Sequence, residues 1–569
     1  MENLIASDPG GRNVFGLLLP DQLRLAAQSL RLAKRVGIVS GFYIPETGAG
    51  ETDGPPGAKV VGEALRKLGV EVEYITDTWN APLFRALGIE PNTDIDQVLS
   101  RIRPTHLVSI ERVGRGRDGR YRNMHGTDIT PTTAPLDGLF LEAGRLGLTT
   151  IGIGDGGNEI GMGRVFADAL VTVVHGRDIA SVVPTDFCIT AGVSNWGGYG
   201  LAGALSILAG RDLLPTADQC FADLERLVRD GGAVDGVTHR REPTVDGLEW
   251  SVSLRMLEKI RQLIVPSPLE RREPITAGIL GYGEAGRAAA ALLAKQGHRV
   301  CISEQRGVTL DKGLVVAGVE TGGHTIRFLS QCDLVVASPG VPEDAPIRDE
   351  LHRRGIPVVS ELELAYQFCP YGLIAVTGTI GKRTTVELMR RLFECAGRRL
   401  SIGGNRGRPL SALLLDEAAT DPIALAVSSF QLESVVHFRP HIAVLLNVNE
   451  AHLDRHRSIA EYVRIKSRVF MNHRPDDVLI LPYDDPRLRA LARKHHGRTL
   501  FVSQCQPVDR GAWLENGAIV LNVEGELERI EDASRYIESL GGFAEDFLPA
   551  VLAARLCGVS ATAALVGIA

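Results

Sequence analysis

The first 265 residues alternate short apolar, often β-branched runs with longer stretches of helical periodicity. Such alternation is typical of a parallel sheet that is covered by helices on both faces. The predicted strands cover residues 36–42, 70–75, 106–110, 149–153 and 169–174, and the predicted helices include 58–68, 136–146 and 248–264. We therefore predict an N-terminal parallel-sheet α/β domain over residues 1–265.

A charged segment with several prolines, VPSPLERREP at residues 265–274, interrupts this pattern. Because proline disfavours continued helix, we expect the main domain boundary here. A strand at 373–376 then precedes a glycine loop and predicts a P-loop α/β domain over 370–569. Between these points a Rossmann-like domain over 275–369 is predicted from a strand, a glycine turn, a helix and a second strand at residues 277–280, 281–286, 287–296 and 299–302.

The composition narrows the class of protein. Hydrophobic residues make up 44% of the chain and charged residues 23%, as in soluble globular proteins. The formal net charge of −7 argues against a nucleic-acid-binding surface. No run approaches the roughly 20 apolar residues of a membrane-spanning helix, and the N-terminus lacks a signal-peptide pattern. The eight cysteines show no metal-binding spacing. We therefore expect a cytoplasmic protein without nucleic-acid or membrane partners.

Polar, glycine-rich motifs lie just past several predicted strands. In open parallel sheets, ligands bind beyond the carboxyl ends of the strands. We therefore expect these loops to converge on one pocket. The motifs are SGF at residues 40–42, ETDGPPGA at 51–58, ERVGRGRDGRYRNMHGTDI at 111–129 and GDGGNEIGMG at 154–163.

The motif GDGGNEIGMG allows two interpretations. It can be a plain turn, in which glycines supply positive φ and Asp155 or Asn158 caps the next helix. Alternatively, Asp155 and Glu159 lie beside backbone amides that the glycines leave free, and hold a cation or an anionic substrate. The arginines within residues 111–129 allow the same choice, between a solvated turn and guanidinium forks that bind carboxylates.

Together the four motifs resemble the D-glutamate cyclase family over about residues 12–265. GDGGNEIGMG is the most specific of them. The resemblance implies a lyase-type dehydration in which D-glutamate becomes 5-oxo-D-proline and water.

Such a reaction needs a neutral amine close to the γ-carboxyl carbon, stabilisation of an oxyanion, and an acid that helps water to leave. The motifs contain side chains suited to each task. The expected site residues are Asp155 and Glu159 as general acid/base or as ligands of Mn²⁺ or Mg²⁺, Glu51 and Asp53 as their helpers, Asn158 and the amides of Gly156 and Gly157 as donors to the oxyanion, and Arg112 and Arg122 as anchors for the substrate carboxylates.

Two glycine loops mark the C-terminal half. GYGEAG at residues 281–286 fits the G-x-G-x-x-G pattern, which close helix–strand packing also produces. TGTIGKRTT at 377–385 is a phosphate-loop candidate, with Lys382 placed for the β- and γ-phosphates. With SPGVP, SSFQLE, NVNEAHLDRH and YVRIK, these loops make residues 275–569 resemble the UDP-N-acetylmuramoyl-L-alanine:D-glutamate ligases of the Mur ligase family.

The resemblance to the Mur ligases implies where nucleotides and metal bind. In that family the first domain binds the UDP-sugar, the second binds ATP and magnesium, and the third holds D-glutamate. Carried over to this sequence, the nucleotide-binding residues are Gly281, Gly283, Gly286, Glu304 and Arg306 for the UDP moiety and Gly378, Gly381, Lys382 and Thr384 for phosphate, and the metal-site residues are His452 and Lys466, the lysine that becomes carbamylated.

Several positions depart from the Mur ligase pattern. Ile380 and Arg383 stand where the family has asparagine and a magnesium-binding serine or threonine. Ala426 replaces a metal-binding glutamate, and residues 545–549 replace a His-Asn-x-x-Asn segment near the adenine. The chain ends at Ala569, about where the third domain begins, so we expect the C-terminal Mur domain to be absent. We therefore expect no ATP turnover, and a structural or regulatory role for the Mur-like half.

The leading functional hypothesis is a D-glutamate cyclase. Its expected partners are D-glutamate, UDP-N-acetylmuramoyl-L-alanine as a candidate ligand of the Mur-like half, and a second copy of the chain in a candidate homo-oligomer. Two alternatives stay open: an ATP-dependent D-glutamate ligase of peptidoglycan synthesis, and a non-catalytic sensor of a UDP-muramoyl precursor. ATP turnover would favour the ligase, and saturable UDP-sugar binding without turnover would favour the sensor.

Overall fold

The computed structural model describes residues 1–95, 98–271, 273–405, 407–451, 453–456, 458–539 and 543–562. Its contacts divide the chain into two compact units, residues 1–266 and 267–569. Each unit has its own hydrophobic core. None of the helices in the described ranges combines the length and the apolar character that crossing a membrane requires.

The first unit is built on a five-stranded parallel sheet with the order β4-β1-β5-β6-β7. Residues of β1, β5 and β6 are buried along almost their whole length, as expected when helices cover both faces of a parallel sheet. Two short strands, β2 and β3, form a separate antiparallel pair. The strands are β1 Arg35–Ser40, β2 Tyr43–Ile44, β3 Ala49–Gly50, β4 Glu71–Ile75, β5 His106–Ile110, β6 Thr149–Gly154 and β7 Phe187–Thr190.

Glycines let two helices of the first unit cross closely. A Cβ atom on Gly198 would lie 2.8 Å from the carbonyl oxygen of Gly57, so neither helix could approach with larger side chains there. This crossing brings the N-termini of Pro55–Lys67 and Ser194–Ala209 together. The helices of this unit are Glu2–Ile5, Gln22–Leu30, Pro55–Lys67, Ala81–Ala86, Asp137–Ala143, Phe166–Thr172, Gly176–Ile179, Ser194–Ala209, Ala217–Arg229 and Trp250–Ile264.

The strand predicted at residues 169–174 is wrong. Most of that segment belongs to the helix Phe166–Thr172, and the fifth strand of the sheet is Phe187–Thr190. A strand inside a parallel sheet needs both faces buried, yet Val171 is 81% exposed and Val174 is 59% exposed. Tertiary packing of the helix through Ala169 outweighs the β propensity of the valine-rich run.

The second unit begins with a five-stranded parallel sheet in the order β10-β9-β8-β11-β12, which has the predicted Rossmann-like arrangement. Its helices are Glu284–Lys295, Ile326–Leu329, Pro346–Arg353 and Glu361–Gln367. Its strands are β8 Thr276–Leu280, β9 Arg299–Glu304, β10 Gly318–Thr321, β11 Leu334–Ala337 and β12 Val358–Ser360.

A nine-stranded sheet follows, in the order β14-β15-β13-β16-β17-β18-β19-β20-β21. It is parallel as far as β19, and β20 and β21 then add antiparallel hairpins. The predicted α/β class is thereby confirmed. The strands are β13 Leu373–Thr377, β14 Ser401–Gly404, β15 Ile423–Ala426, β16 Ile442–Leu445, β17 Val478–Pro482, β18 Arg498–Ser503, β19 Gly511–Glu515, β20 Ala518–Val523 and β21 Glu526–Ile530, and the helices are Lys382–Cys395, Leu410–Leu414, Ser429–Glu433, Leu453–His456, Ile459–Ser467, Pro486–Arg489, Ala533–Ser539 and Ala544–Leu556.

Candidate active site in the first unit

Carboxylates from separate segments meet at the carboxyl edge of the first sheet. Glu111 directly follows β5 and Asp155 directly follows β6. Oxygens of Asp53, Asp155 and Asp246 all lie within 4.8 Å of one another. The same holds for oxygens of Glu111, Asp155 and Glu159, so Asp155 belongs to both groups. We call these residues, together with Glu51, the acidic cluster.

Glu159 is held by backbone amides. Its carboxylate accepts hydrogen bonds from the amides of Asp155 at 3.0 Å, Gly156 at 2.6 Å and Gly157 at 2.7 Å. The prediction that Gly156 and Gly157 offer free amides to the substrate is therefore wrong, because the chain's own carboxylate takes both. Gly157 has φ +89, so a glycine suits this tight turn. Glu159 and the glycines position the loop that carries Asp155.

Asp53 lies at the N-terminus of the helix Ser194–Ala209. It accepts the amide hydrogens of Ser194 and Asn195, each at 2.8 Å, and that of Gly54 at 3.0 Å. The amide oxygen of Asn195 in turn accepts from Gly54 and from Gly57, at 3.1 and 2.7 Å. Free amides at a helix N-terminus favour an anion, so the two crossing helices fix Asp53 in place.

Two members of the acidic cluster have left-handed backbone. Glu111 has φ +46 and Asp246 has φ +56, conformations that cost of the order of 1–3 kcal/mol for residues other than glycine. The hydroxyl of Ser194 donates to Glu111 at 2.6 Å. Backbone strain of this kind persists where the surrounding structure needs a side chain in one direction. Here it turns both carboxylates into the cluster.

A single buried carboxylate organises the loop that carries Asp246. Asp235 accepts hydrogen bonds from the amide of Thr238 at 2.7 Å, the amide of Gly247 at 2.8 Å and the hydroxyl of Thr244 at 2.7 Å. Burial alone would raise the pKa of Asp235, but these hydrogen bonds lower it below its usual value. Asp235 thus closes residues 235–247 into a fixed loop.

Arg12 reaches the acidic cluster from the N-terminal segment. Its Nη1 lies 2.6 Å from Oδ1 of Asp155, and its Nη2 lies 2.7 Å from Oδ1 of Asp246. Burial opposes the charged guanidinium, but these two aspartates raise the pKa of Arg12 well above its usual value. Arg12 therefore stays charged while six carboxylates surround it.

Burial is the main cause of perturbed acidity in the cluster, and neighbouring carboxylates add to it. It raises the pKa of Asp155 to about 6 and that of Asp246 to about 7. The pKa values of Glu51, Asp53 and Glu111 are raised well above the usual range. One arginine does not compensate this charge. The cluster therefore holds protons near neutral pH unless a cation enters it.

The two arginines predicted to anchor substrate carboxylates lie elsewhere. Arg112 is buried, pairs with Asp77 at 2.6 Å and donates to the carbonyl oxygens of Gly41 and Ala134, so it joins loops of the scaffold. Arg122 pairs with Asp118 on the surface.

The side chain of Asn158 donates to the backbone of Arg122 at 2.9 Å. Asn158 thus supports a loop instead of facing the cluster.

Sequence reasoning missed Arg12, Glu111 and Asp246. Glu111 stood in a quoted motif at a strand end, so its position was a usable signal. Asp246 precedes Gly247, and an Asp-Gly pair indicates a turn more often than a site. Arg12 precedes the first strand of the sheet by more than 20 residues, and nothing in its neighbourhood distinguishes it from a surface arginine.

The phosphate loop of the second unit lies between β13 and the helix Lys382–Cys395, but its donors are bonded within the protein. The amides of Thr379 and Ile380 donate to Oδ1 of Asn447 at 3.0 and 3.1 Å. Nζ of Lys382 donates to the carbonyl oxygens of Gly378 and Thr379 at 2.8 and 2.9 Å. A nucleotide phosphate would need these same donors. The loop is therefore closed on its own chain.

Asp546 lies against the same loop. A Cβ atom on Gly381, which has φ +86, would lie 1.9 Å from Oδ1 of Asp546. Burial first, and then the charge of Glu545, raise the pKa of Asp546 to about 6. When ionised, this carboxylate repels a phosphate that approaches the loop.

The other predicted residues of this loop have mixed outcomes. Nζ of Lys466 donates to the carbonyl oxygen of Gly378 at 2.8 Å, and burial, followed by the charge of Lys382, lowers the pKa of Lys466 to about 6. Thr384 lies in the first turn of the phosphate-loop helix. His452 falls outside the described residues.

Two departures from the Mur ligase pattern are visible in the structure. Ala426 ends β15 and is buried, so this position offers no side-chain oxygen to a metal ion. Arg383 is exposed at the start of the phosphate-loop helix.

The glycine turn of the Rossmann-like sheet has one open position. Gly281 has φ +89, and a Cβ atom on Gly286 would lie 2.1 Å from the carbonyl oxygen of Gly281, so both positions require glycine. A Cβ atom on Gly283 meets nothing within 4 Å, so packing does not explain that glycine. Glu304 accepts from a backbone amide of the turn at 2.6 Å and from the amide of Arg306 at 3.1 Å.

Family models match two parts of the chain. Residues 1–261 match the family described as D-glutamate cyclase-like, C-terminal, and residues 376–528 match the Mur ligase middle domain. The acidic cluster lies within the first match and the phosphate loop within the second.

Curated relatives match the second half. The UDP-N-acetylmuramoylalanine–D-glutamate ligase of Acidobacterium capsulatum is 38% identical over 293 residues, which are 50% of this chain and 64% of that protein. The ligase of the same name from Pelotomaculum thermopropionicum is 38% identical over 288 residues, 49% of this chain and 63% of that protein. The chain thus spans less than two thirds of the length of either relative.

A solved structure of UDP-N-acetylmuramate:L-alanyl-γ-D-glutamyl-meso-diaminopimelate ligase from Neisseria meningitides aligns with 52% of this chain and 98% of its own. The sequence identity is 16% and the TM-score is 0.37, values too low to bear on function.

Proposed function

We propose that this chain, which joins a D-glutamate cyclase-like domain to a Mur ligase-like region, converts D-glutamate to 5-oxo-D-proline and water in its first unit. The observation that most supports this is the buried acidic cluster, which lies inside the cyclase-like residues and at the strand ends where ligands bind in such sheets. Perturbed carboxyl groups gathered in one place are typical of acid–base catalysis.

The acidic cluster fits a divalent cation. Glu51, Asp155 and Asp246 each keep a buried oxygen without a hydrogen-bond partner. Hard cations such as Mg²⁺ and Mn²⁺ prefer carboxylate oxygens. We propose that Asp53, Asp155 and Asp246 hold the cation. When bound, it supplies positive charge that favours the oxyanion of the γ-carboxyl group.

Cyclisation also moves protons. The ammonium group of glutamate must lose a proton before its nitrogen can attack the γ-carboxyl carbon. A C–N bond then forms, a C–O bond breaks, and two of the three ammonium protons leave with that oxygen as water. Glu51 and Glu111, whose pKa values are raised, border the aspartates. Coupled carboxyl groups share protons, so this pair can accept a proton from nitrogen and give one to the leaving oxygen.

The proposal predicts cyclisation without ATP. The purified chain with Mn²⁺ and D-glutamate is expected to accumulate 5-oxoproline, measured by chromatography, with L-glutamate as the parallel substrate. Protein inactivated by heat is the blank, because glutamate cyclises slowly by itself. If no divalent cation supports formation above that blank between pH 6 and 9, the cyclase assignment is wrong.

We further propose that the Mur-like region does not couple ATP hydrolysis to peptide-bond formation. Its phosphate loop is closed by Asn447 and by the curled side chain of Lys382. Ala426 and Arg383 replace two metal-binding residues of the family pattern, and phosphoryl transfer depends on metal charge. The names of the curated relatives favour the alternative of a working ligase, which acts on D-glutamate as well.

Phosphate release separates these two hypotheses. The chain with ATP, Mg²⁺, UDP-N-acetylmuramoyl-L-alanine and D-glutamate is expected to release no phosphate above a control without protein. Lys382→Ala should behave in the same way. Release that requires both substrates and disappears in Lys382→Ala would establish the ligase instead.

A further inference from the structure

Arg12 occupies the solvent side of the acidic cluster. Its side chain is 17% exposed, whereas that of Asp155 is 3% exposed. It bridges two of the three aspartates assigned to the cation, contacting Oδ1 of Asp155 and Oδ1 of Asp246. The second oxygen of each aspartate stays buried without a hydrogen-bond partner. The guanidinium therefore holds the position of a counter-ion without satisfying the site.

The segment that carries Arg12 is tethered at its ends and open at its tip. The carbonyl oxygen of Ile5 accepts from the amide of Gly192 at 2.8 Å, and the side-chain amide of Asn13 donates to the helix Phe166–Thr172 at 3.4 Å. Between these ties, a Cβ atom on Gly11, which has φ +71, would meet nothing within 4 Å. The tip of the segment can therefore move without disturbing the hydrophobic core.

Charge decides which groups can share the cluster. A dicarboxylate substrate is repelled by six carboxylates and one guanidinium, so it needs more positive charge in the site. A divalent cation that binds the orphaned oxygens also competes electrostatically with Arg12 for the same aspartates. A guanidinium displaced from them has two parallel N–H donors to offer, and this fork matches a carboxylate.

We propose that Arg12 is an exchangeable internal cation: a divalent metal ion displaces it from Asp155 and Asp246, and it then binds a carboxylate of the amino-acid substrate. The proposal rests on the proposed cyclase for the substrate, but not for the exchange with metal. It assigns substrate anchoring to Arg12 in place of the arginines that the sequence suggested. No bond is made or broken in the exchange.

The proposal predicts opposite effects of one substitution on two affinities. Arg12→Met removes the competing charge, so the Kd of Mn²⁺, measured by the electron paramagnetic resonance of free Mn²⁺, should fall about tenfold or more. The KM for D-glutamate should rise roughly 10- to 100-fold, because a bidentate charged contact is lost. Arg12→Lys keeps the charge but not the fork, so it should leave the Kd of Mn²⁺ within about threefold and still raise the KM.

Arg24→Met is the matched control, because Arg24 pairs with Asp21 on the surface at 3.0 Å. It should change neither affinity. A supporting role for Arg12 in the fold would instead weaken Mn²⁺ binding in Arg12→Met, and equal or weaker binding overturns the proposal. So does the absence of Mn²⁺ binding in both the natural chain and the variant.

A measurement on the natural chain covers the case in which Arg12→Met does not fold. Phenylglyoxal modifies accessible arginines, and the modified peptide is identified by mass spectrometry. Mn²⁺ should increase the modification of Arg12 severalfold, and D-glutamate added with Mn²⁺ should suppress it; no change with Mn²⁺ overturns the exchange. If Mn²⁺ has this effect and no 5-oxoproline forms, the exchange stands and the cyclase assignment fails.

Discussion

Replacing Asp155 with asparagine is expected to lower cyclase turnover by roughly 10²–10⁴-fold, the range for loss of a group that organises acid–base chemistry. Asp155 belongs to both carboxylate groups of the cluster and contacts Arg12, so its charge enters every part of the proposed site. Asparagine keeps the shape and loses the charge. The rate of 5-oxoproline formation at saturating D-glutamate and Mn²⁺ measures the effect.

The control for Asp155→Asn lies at the other end of the same strand. Asp186 accepts hydrogen bonds from the amide and the hydroxyl of Thr150, at 2.8 and 2.9 Å, near the start of β6. Asp186→Asn should alter the melting temperature without lowering turnover more than about twofold. Because the ionised Asp155 is destabilising in its buried site, Asp155→Asn should not melt earlier than the natural chain without metal. Near-normal turnover in a folded Asp155→Asn protein would remove this residue from the site.

The sequence predicted the positions of most strands because buried parallel strands are continuous apolar runs. The predictions for 106–110 and 149–153 match β5 and β6 to within one residue. It also indicated the right edge of the sheet, since the polar motifs follow those strands. The failure at 169–174 has the opposite cause: a valine-rich segment forms a helix because packing through Ala169 decides its conformation.

Partners within the site depend on contacts between distant segments, which no local pattern contains. Arg12 and Asp246 are separated by 234 positions in their numbering, yet they form an ion pair at 2.7 Å. The free amides expected at Gly156 and Gly157 were a reasonable prediction from a glycine loop, but a carboxylate only two or three residues further along the chain takes them. In the Mur-like region, likewise, the sequence revealed the missing ligands but not the closure of the loop by Asn447.

Metal removal is expected to reverse the usual dependence of stability on pH in the first unit. The folded-state pKa values of Asp155 and Asp246, about 6 and about 7, lie above the usual 3.8. Between about pH 4 and 7 the folded unit therefore binds more protons than the unfolded chain, and its free energy of unfolding falls as pH rises. In EDTA we expect a lower melting temperature at pH 8 than at pH 5, and no cyclase activity at either pH.

Saturating Mn²⁺ should remove most of this pH dependence, because a bound cation keeps the carboxylates ionised at little cost and stabilises the folded state by mass action. The second unit opposes the trend: burial lowers the pKa values of His473 and His495 to about 3 and 4, so their contribution to stability is lost as pH falls below about 6.5. Melting is therefore best followed by tryptophan fluorescence in a Trp513→Phe background, in which the three remaining tryptophans report on the first unit. A melting temperature that rises from pH 5 to pH 8 in EDTA, or that Mn²⁺ leaves unchanged at pH 8, would show that the cluster is not a cation site.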